Sequence, residues 1–211
     1  MVTSIFRSVA LGAAVMLTAC VMMIGRAPSA HAEEDKTNLI YMDVGNATKT
    51  YGRVVIKLRP DLAPGHVARI KELTKSGFYN GIVFHRVIDG FMAQTGDPTG
   101  TGMGGSDKPD LKAEFSKTSH LRGICSMARA ADPNSANSQF FIVLNDSTFL
   151  DGQYTVWGEV VSGMQFVDMI KKGDSDANGQ VVDPDKIIKM QLASDAEPAA
   201  TPAPAPEKKT N

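Results

Sequence analysis

Short apolar runs separated by polar, Gly-rich breaks dominate the chain. Leu39-Ile40-Tyr41-Met42-Asp43-Val44 and Val54-Val55-Ile56-Lys57-Leu58 read as the two strands of a β-hairpin, with Gly45 and Asn46 opening the turn region between them. A helix follows. Pro64 suits its first turn, Val67, Ile70, Leu73 and Thr74 recur at helical spacing, and Gly77 stops it. Further strand-like runs are Ile82 to Val87, Phe91 to Gln94, Gly123 to Met127, Gln139 to Leu144, Thr155 to Val160 and Lys186 to Leu192. A second helix is predicted over Met164 to Lys171, ended by Gly173. Two helices cannot cover both faces of so large an open sheet. The pattern therefore predicts a mainly β fold, a closed eight-stranded antiparallel barrel capped by two α-helices, in which closure removes exposed edges.

The ends of the chain differ from this middle. Arg7, the apolar stretch Ser8 to Ile24 and Ala30-His31-Ala32 form the charged, hydrophobic and cleavage regions of a signal peptide over residues 1–32. Its removal takes two arginines and no acid, moving the net charge from −1 to −3. The expected location is exported, in the periplasm. Two other readings stay open: Leu17-Thr18-Ala19-Cys20 resembles a lipobox that would lipidate Cys20, and the apolar run approaches the length of a membrane anchor. Residues 33–38 read as a flexible lead-in, 39–193 as the folded domain, and 194–211, with its alternating Pro and Ala, as a disordered tail.

Composition narrows the function classes. The chain is 43% apolar and 21% charged, ordinary for a globular domain, and it lacks the basic excess that nucleic acid calls for. Past the signal peptide only Cys125 remains, which excludes an intramolecular disulfide and suggests a small buried hydrophobe. Gly100-Thr101-Gly102-Met103-Gly104-Gly105 fits G-x-G-x-x-G, but Ser106-Asp107-Lys108-Pro109-Asp110 cannot open the helix that a phosphate site needs. No His/Cys/Asp/Glu set has metal-ligand spacing, so no metal and no other cofactor is expected. A Ser–His–Asp hydrolase is not excluded by counting, although no G-x-S-x-G elbow is present, and His66, His85 and His120 read as structurally hydrogen-bonded.

Two segments carry more information. In Phe84-His85-Arg86-Val87-Ile88-Asp89-Gly90-Phe91-Met92-Ala93-Gln94, an arginine interrupts an apolar strand. Alternation puts Phe84 and Arg86 on one face and His85 and Val87 on the other. Arg86 then faces solvent or the rim of an apolar surface, with Phe91, Met92 and Gln94 able to supply an apolar floor and an amide. In Gln139-Phe140-Phe141-Ile142-Val143 the two phenylalanines point oppositely, one into the core and the other free to line a pocket.

At these segments the chain resembles the cyclophilin family of peptidyl-prolyl isomerases. FHRVIDGFMAQTGDPTGTGMGG and SMARAADPNSANSQFFIVLNDSTFLDGQYTVWGEVVSGM are similar to that family's two main signatures, and the similarity runs from about Leu39 to about Leu192. The short loops resemble its bacterial exported branch. The resemblance implies acceleration of X–Pro rotation in folding polypeptides. It also implies roles: Arg86 as the catalytic arginine, Gln94 as the residue orienting it, and Phe91, Met92, Phe141 and Leu150 as the proline pocket. Gln139, Ala128, Arg129 and Ala130 then hold the extended peptide, and Thr101 and Gly102 match a neighbouring loop. Three positions depart from many eukaryotic members: Phe149 replaces Trp, Tyr154 replaces His, and Arg129 replaces Asn. Loss of the indole N–H at Phe149 implies weak cyclosporin binding at most. The expected partners are proline-containing polypeptides and no nucleic acid, with membrane contact only through a lipidated or anchored N-terminus, and the expected state is a monomer. A Pro-binding module without turnover is the alternative within the same fold.

Overall fold

The computed structural model describes residues 36–196. The signal peptide, Cys20, the start of the lead-in and the tail from Glu197 lie outside the described residues. The last part of the lead-in, Lys36–Asn38, forms a turn of 3-10 helix, and Ala193–Asp195 forms another.

Among the described residues eight strands and two α-helices follow in the order β1 (Leu39–Gly45), β2 (Thr50–Leu58), α1 (Pro64–Lys75), β3 (Arg86–Ile88), β4 (Met92–Thr95), β5 (Ile124–Met127), β6 (Phe140–Val143), β7 (Val156–Ser162), α2 (Met164–Asp168) and β8 (Lys186–Leu192). The strands make one antiparallel sheet ordered β3-β4-β6-β5-β7-β2-β1-β8. The β1–β2 turn is set by Asn46, whose Oδ1 accepts the main-chain N–H of Thr48 and Lys49, both at 2.9 Å.

The sheet curls into a half-barrel, and this corrects the expected closed barrel. Its two end strands, β3 and β8, share no ladder. Val83 forms an isolated bridge to Lys186, and Arg86 forms one to Gln180. Single hydrogen bonds from Gly81 to Ile187 and from Phe84 to Asp185 add to the seam. The physical reason is irregular backbone at Phe84 and His85, which shortens the predicted Ile82–Val87 strand to three residues. That irregularity also reverses the predicted facing: Phe84 is fully buried in the core with Val87, while Arg86 points the other way.

Helix α1 matches its predicted limits. Pro64 opens it, and the Glu114 carboxylate accepts the N–H groups of Gly65 (3.1 Å) and His66 (3.0 Å), supplying from a distant loop the cap that its own N-terminus lacks. Val67, Ile70 and Leu73 are buried. Helix α2 is shorter than predicted. The Lys172 ammonium takes the carbonyls of Asp168 and Ile170, ending it before Lys171.

Cross-strand partners share a face, and so the register separates two apolar clusters. Val87, Ala93, Ile142 and Cys125 face inward with Phe140 and Trp157 and join the main core. Cys125 is fully buried, which pushes its thiol pKa up and makes it the inert hydrophobe expected. The opposite face carries a second cluster: Met92, Ile124, Phe141, Val143, Leu150 and Val156.

Candidate active site

The site is built on that second face. In register across four strands stand Arg86 (β3), Gln94 (β4), Phe141 (β6) and Ser126 (β5). A parallel row two residues along holds Ile88, Met92 and Val143. Strand spacing puts the Arg86 and Phe141 backbones roughly 10 Å apart, a distance one peptide can bridge. The sheet itself thus brings the guanidinium and the apolar patch together.

Arg86 is held by a relay. Its Nη1 donates to Gln94 Oε1 (3.2 Å), Gln94 Nε2 donates to Gln139 Oε1 (2.9 Å), and Gln139 Nε2 donates to the carbonyls of Gly102 (3.0 Å) and Gly104 (2.8 Å). Both amides are oriented by this chain, because each carbonyl oxygen accepts and each NH2 donates. On the other side Arg86 Nε donates to the Asn178 main-chain oxygen and Nη2 to Asn178 Oδ1, each at 3.0 Å. Three of the roughly five guanidinium N–H groups are engaged this way. Partial burial pulls the Arg86 pKa down.

Phe141 forms the centre of the apolar patch. Tyr154 meets it edge-on at 5.7 Å, and His120 stacks beneath at 6.4 Å. Met92 and Leu150 are buried beside it, and Phe91 and Ala128 pack on the same cluster. Phe149 is 65% exposed and tilts against Phe91 at 5.4 Å. Arg129 lies over the Tyr154 ring at 4.8 Å and donates to the carbonyls of Gln153 and Ala130, so two of the departures from the family pattern pack on each other.

A groove of about 420 Å³ runs beside the patch, lined by Gln94, Gly102, Ala128, Arg129, Ala130 and Gln139 among others. A larger cavity of about 550 Å³ lies around Arg59 and contains none of the predicted site residues. Thr101 does not line the groove. Its N–H bonds to Asp97 and its hydroxyl pairs with Thr99.

The Gly-rich loop is explained by Asp97. Its buried carboxylate accepts from the N–H groups of Thr99 (2.8 Å), Thr101 (3.0 Å) and Gly102 (2.6 Å) and from the Thr99 hydroxyl. An internal anion therefore occupies the seat that a phosphate would need. A Cβ at Gly104 would sit 2.2 Å from Asp97 Oδ1, so glycine is required there. Burial alone would raise the Asp97 pKa, but the hydrogen bonds from Thr99, Gly104 and Gly102 outweigh it and lower it to about 2.

A Ser–His–Asp arrangement does exist. His120 Nδ1 lies 2.9 Å from Asp151, and Nε2 lies 2.8 Å from Ser126 Oγ. Ser126 is fully buried beside Phe141 in the same row, so its hydroxyl does not reach solvent or a substrate, and the trio supports the ring on which His120 stacks. His66 is likewise hydrogen-bonded, to Glu114 at 2.6 Å. His85 departs from expectation: it is buried with no well-formed partner at either ring nitrogen, and burial pushes its pKa down. Sequence reasoning missed Asn178, Asp97 and the Ser126–His120–Asp151 support. Only the turn-forming Asn178-Gly179 dipeptide offered a signal.

Comparison with known proteins follows the same line. A family profile described as cyclophilin type peptidyl-prolyl cis-trans isomerase/CLD matches residues 41–192. A probable peptidyl-prolyl cis-trans isomerase of Brucella suis is 57% identical over 157 residues, covering 69% of this chain and 80% of that protein. A cyclophilin crystal structure from Hirschia baltica superposes with a TM-score of 0.67 at 28% identity, covering 78% of this chain and 77% of the other. A cyclophilin-type isomerase from Cryptosporidium parvum, crystallised in the presence of the dipeptide Ala-Pro, superposes with a TM-score of 0.65 at 30% identity over 73% of this chain and 98% of the other.

Proposed function

The chain belongs to the cyclophilin-type peptidyl-prolyl cis–trans isomerases, and from that premise we propose that Arg86 accelerates X–Pro rotation while Phe91, Met92, Phe141 and Leu150 grip the proline ring. The uncatalysed barrier is about 18–20 kcal/mol, because rotation breaks amide resonance. As the bond twists, the prolyl nitrogen becomes pyramidal and regains a lone pair. A guanidinium N–H donates well to that nitrogen only in the twisted state, so the interaction lowers the barrier and leaves both ground states alone. Gln94 holds the guanidinium in place in advance, which removes the cost of ordering it during reaction. Gln139 and the main chain at Ala128 to Ala130 align the extended peptide along the groove. The substrate class is proline-containing polypeptides.

The observation that carries this reading is the single row of Arg86, Gln94 and Phe141 on one sheet face. Arg86→Ala is expected to lower kcat/KM by roughly two to three orders of magnitude with the fold intact. A protease-coupled Pro-peptide assay with circular dichroism on the same sample tests it, and near-wild-type turnover would end the proposal.

We further propose that the enzyme works in the periplasm, on the strength of Arg7, the apolar stretch and Ala30-His31-Ala32. The mass of the mature N-terminus decides this. A start at Glu33 supports it, whereas a lipid on Cys20 or a retained apolar stretch would put the enzyme on a membrane.

A further inference from the structure

We infer that Asn178 is a positioning residue for the catalytic guanidinium, since its main-chain and side-chain oxygens both accept from Arg86. The inference rests on the proposed role of Arg86. Gln94 reaches only one edge of the guanidinium, and a single hydrogen bond leaves the planar group free to swing about that contact. Asn178 takes the other edge through two acceptors, so three bonds from two sides define both the position and the plane of the fork.

The loop carrying Asn178 is shaped for this task. Asn178 has φ 53°, in the left-handed region that asparagine tolerates, and this conformation accompanies the approach of its main-chain oxygen and its side-chain oxygen to one donor group. Gly179 follows with φ 79°, and a Cβ there would lie 2.5 Å from Ile88 Cγ1, so the loop can rest directly against β3. Val87 N–H donates to the Gly179 oxygen at 2.8 Å, and Gly173 N–H donates to the Val87 oxygen at 2.9 Å. The acceptor is thus fastened to the same strand as the arginine it holds. Asn178 itself is exposed and packs in no core, so its side chain has little other structural work.

The test uses the full chain with Asn178→Gly, which keeps the left-handed backbone and deletes only the side-chain acceptor, and Asn178→Asp, which keeps an acceptor oxygen. Asn178→Gly is expected to lower kcat about tenfold, with KM for a Pro-peptide within about twofold, because the apolar patch is untouched. Asn178→Asp is expected to regain most of that loss. In an Arg86→Ala background the glycine change is expected to have no further effect, since its action runs through Arg86. The Arg86 Nη2–H signal in NMR, whose acceptor is the deleted side-chain oxygen, is expected to shift and broaden in Asn178→Gly with melting temperature unchanged. Equal activity of Asn178→Gly and wild type, beside an inactive Arg86→Ala, would overturn the inference and leave the Arg86 reading standing. An equal loss in both backgrounds would overturn it in favour of a loop-stability effect. Full activity in Arg86→Ala would remove the premise, and the inference with it.

Discussion

Asp97→Asn should uncouple the Gly-rich loop from the sheet and weaken the enzyme at a distance. The carboxylate accepts from three main-chain N–H groups and the Thr99 hydroxyl while only 1% exposed. Asparagine is nearly isosteric but turns one oxygen into a donor. If the NH2 takes the Oδ1 position it faces the Thr99 N–H; if it takes the Oδ2 position it faces those of Thr101 and Gly102. A buried N–H left without an acceptor costs about 1–3 kcal/mol. Linkage measures the same hydrogen bonds from the charged side: a carboxylate depressed from 3.8 to about 2 contributes about 2 kcal/mol at neutral pH, and the two figures describe one loss. The expected cost is about 2–3 kcal/mol, or a fall in Tm of about 7 °C for a domain of this size. The sign of the pH effect follows. A depressed folded pKa stabilises fully above the unfolded value near 4, and that contribution disappears as pH falls through about 2. Wild type should therefore lose about 2 kcal/mol from this group between pH 5 and pH 2, and the variant should lack that part of the acid limb. Because Gly102 and Gly104 supply the carbonyls that orient Gln139, kcat/KM should fall as well. Urea melts across pH with a parallel isomerase assay measure all three effects. A variant within 1 kcal/mol of wild type at pH 7, with an unchanged acid limb, would refute the argument.

Phe141→Ala should cost about 3–5 kcal/mol in a urea melt and also raise KM, because the ring is 5% exposed and supports both cluster and patch; loss of stability with KM unchanged would show that the ring is only core. Phe149→Trp, at a site 65% exposed, should leave Tm within about 2 °C and tighten cyclosporin binding in calorimetry by restoring an indole donor; no gain in affinity would place the weakness elsewhere.

The parts of this fold that were legible in the sequence are those set by local periodicity. Helix α1 was readable because Pro64, the 3.6-residue spacing of Val67, Ile70 and Leu73, and Gly77 all act within one turn of each other. The opposite facing of Phe140 and Phe141 followed from strand alternation alone. The open seam was not legible, because it depends on where the backbone at Phe84 and His85 leaves strand geometry, and no residue type marks that departure. The same irregularity reversed the predicted facing of Phe84 relative to Arg86. Thr101 matched a family position, yet its N–H is taken by Asp97 and its hydroxyl by Thr99, contacts within the loop that sequence spacing does not reveal. Asn178 lies 92 positions from Arg86, and only tertiary structure joins them.

These long-range contacts explain why the site sits where it does. A three-residue strand at the end of a sheet is a poor platform for a precisely held side chain, since β3 has a ladder partner on one side only. Two loops supply what the missing strand would have provided. The Gly-rich loop, tightened by Asp97, fixes Gln139 and through it Gln94. The loop at 173–180 bonds to Val87 and bridges to Arg86 from the open side. The guanidinium is therefore clamped between two loops, on the sheet face that carries Phe141. An edge strand that would otherwise be the weak point of the sheet becomes, through those clamps, a place where a guanidinium is held from two sides, as the proposed role of Arg86 requires.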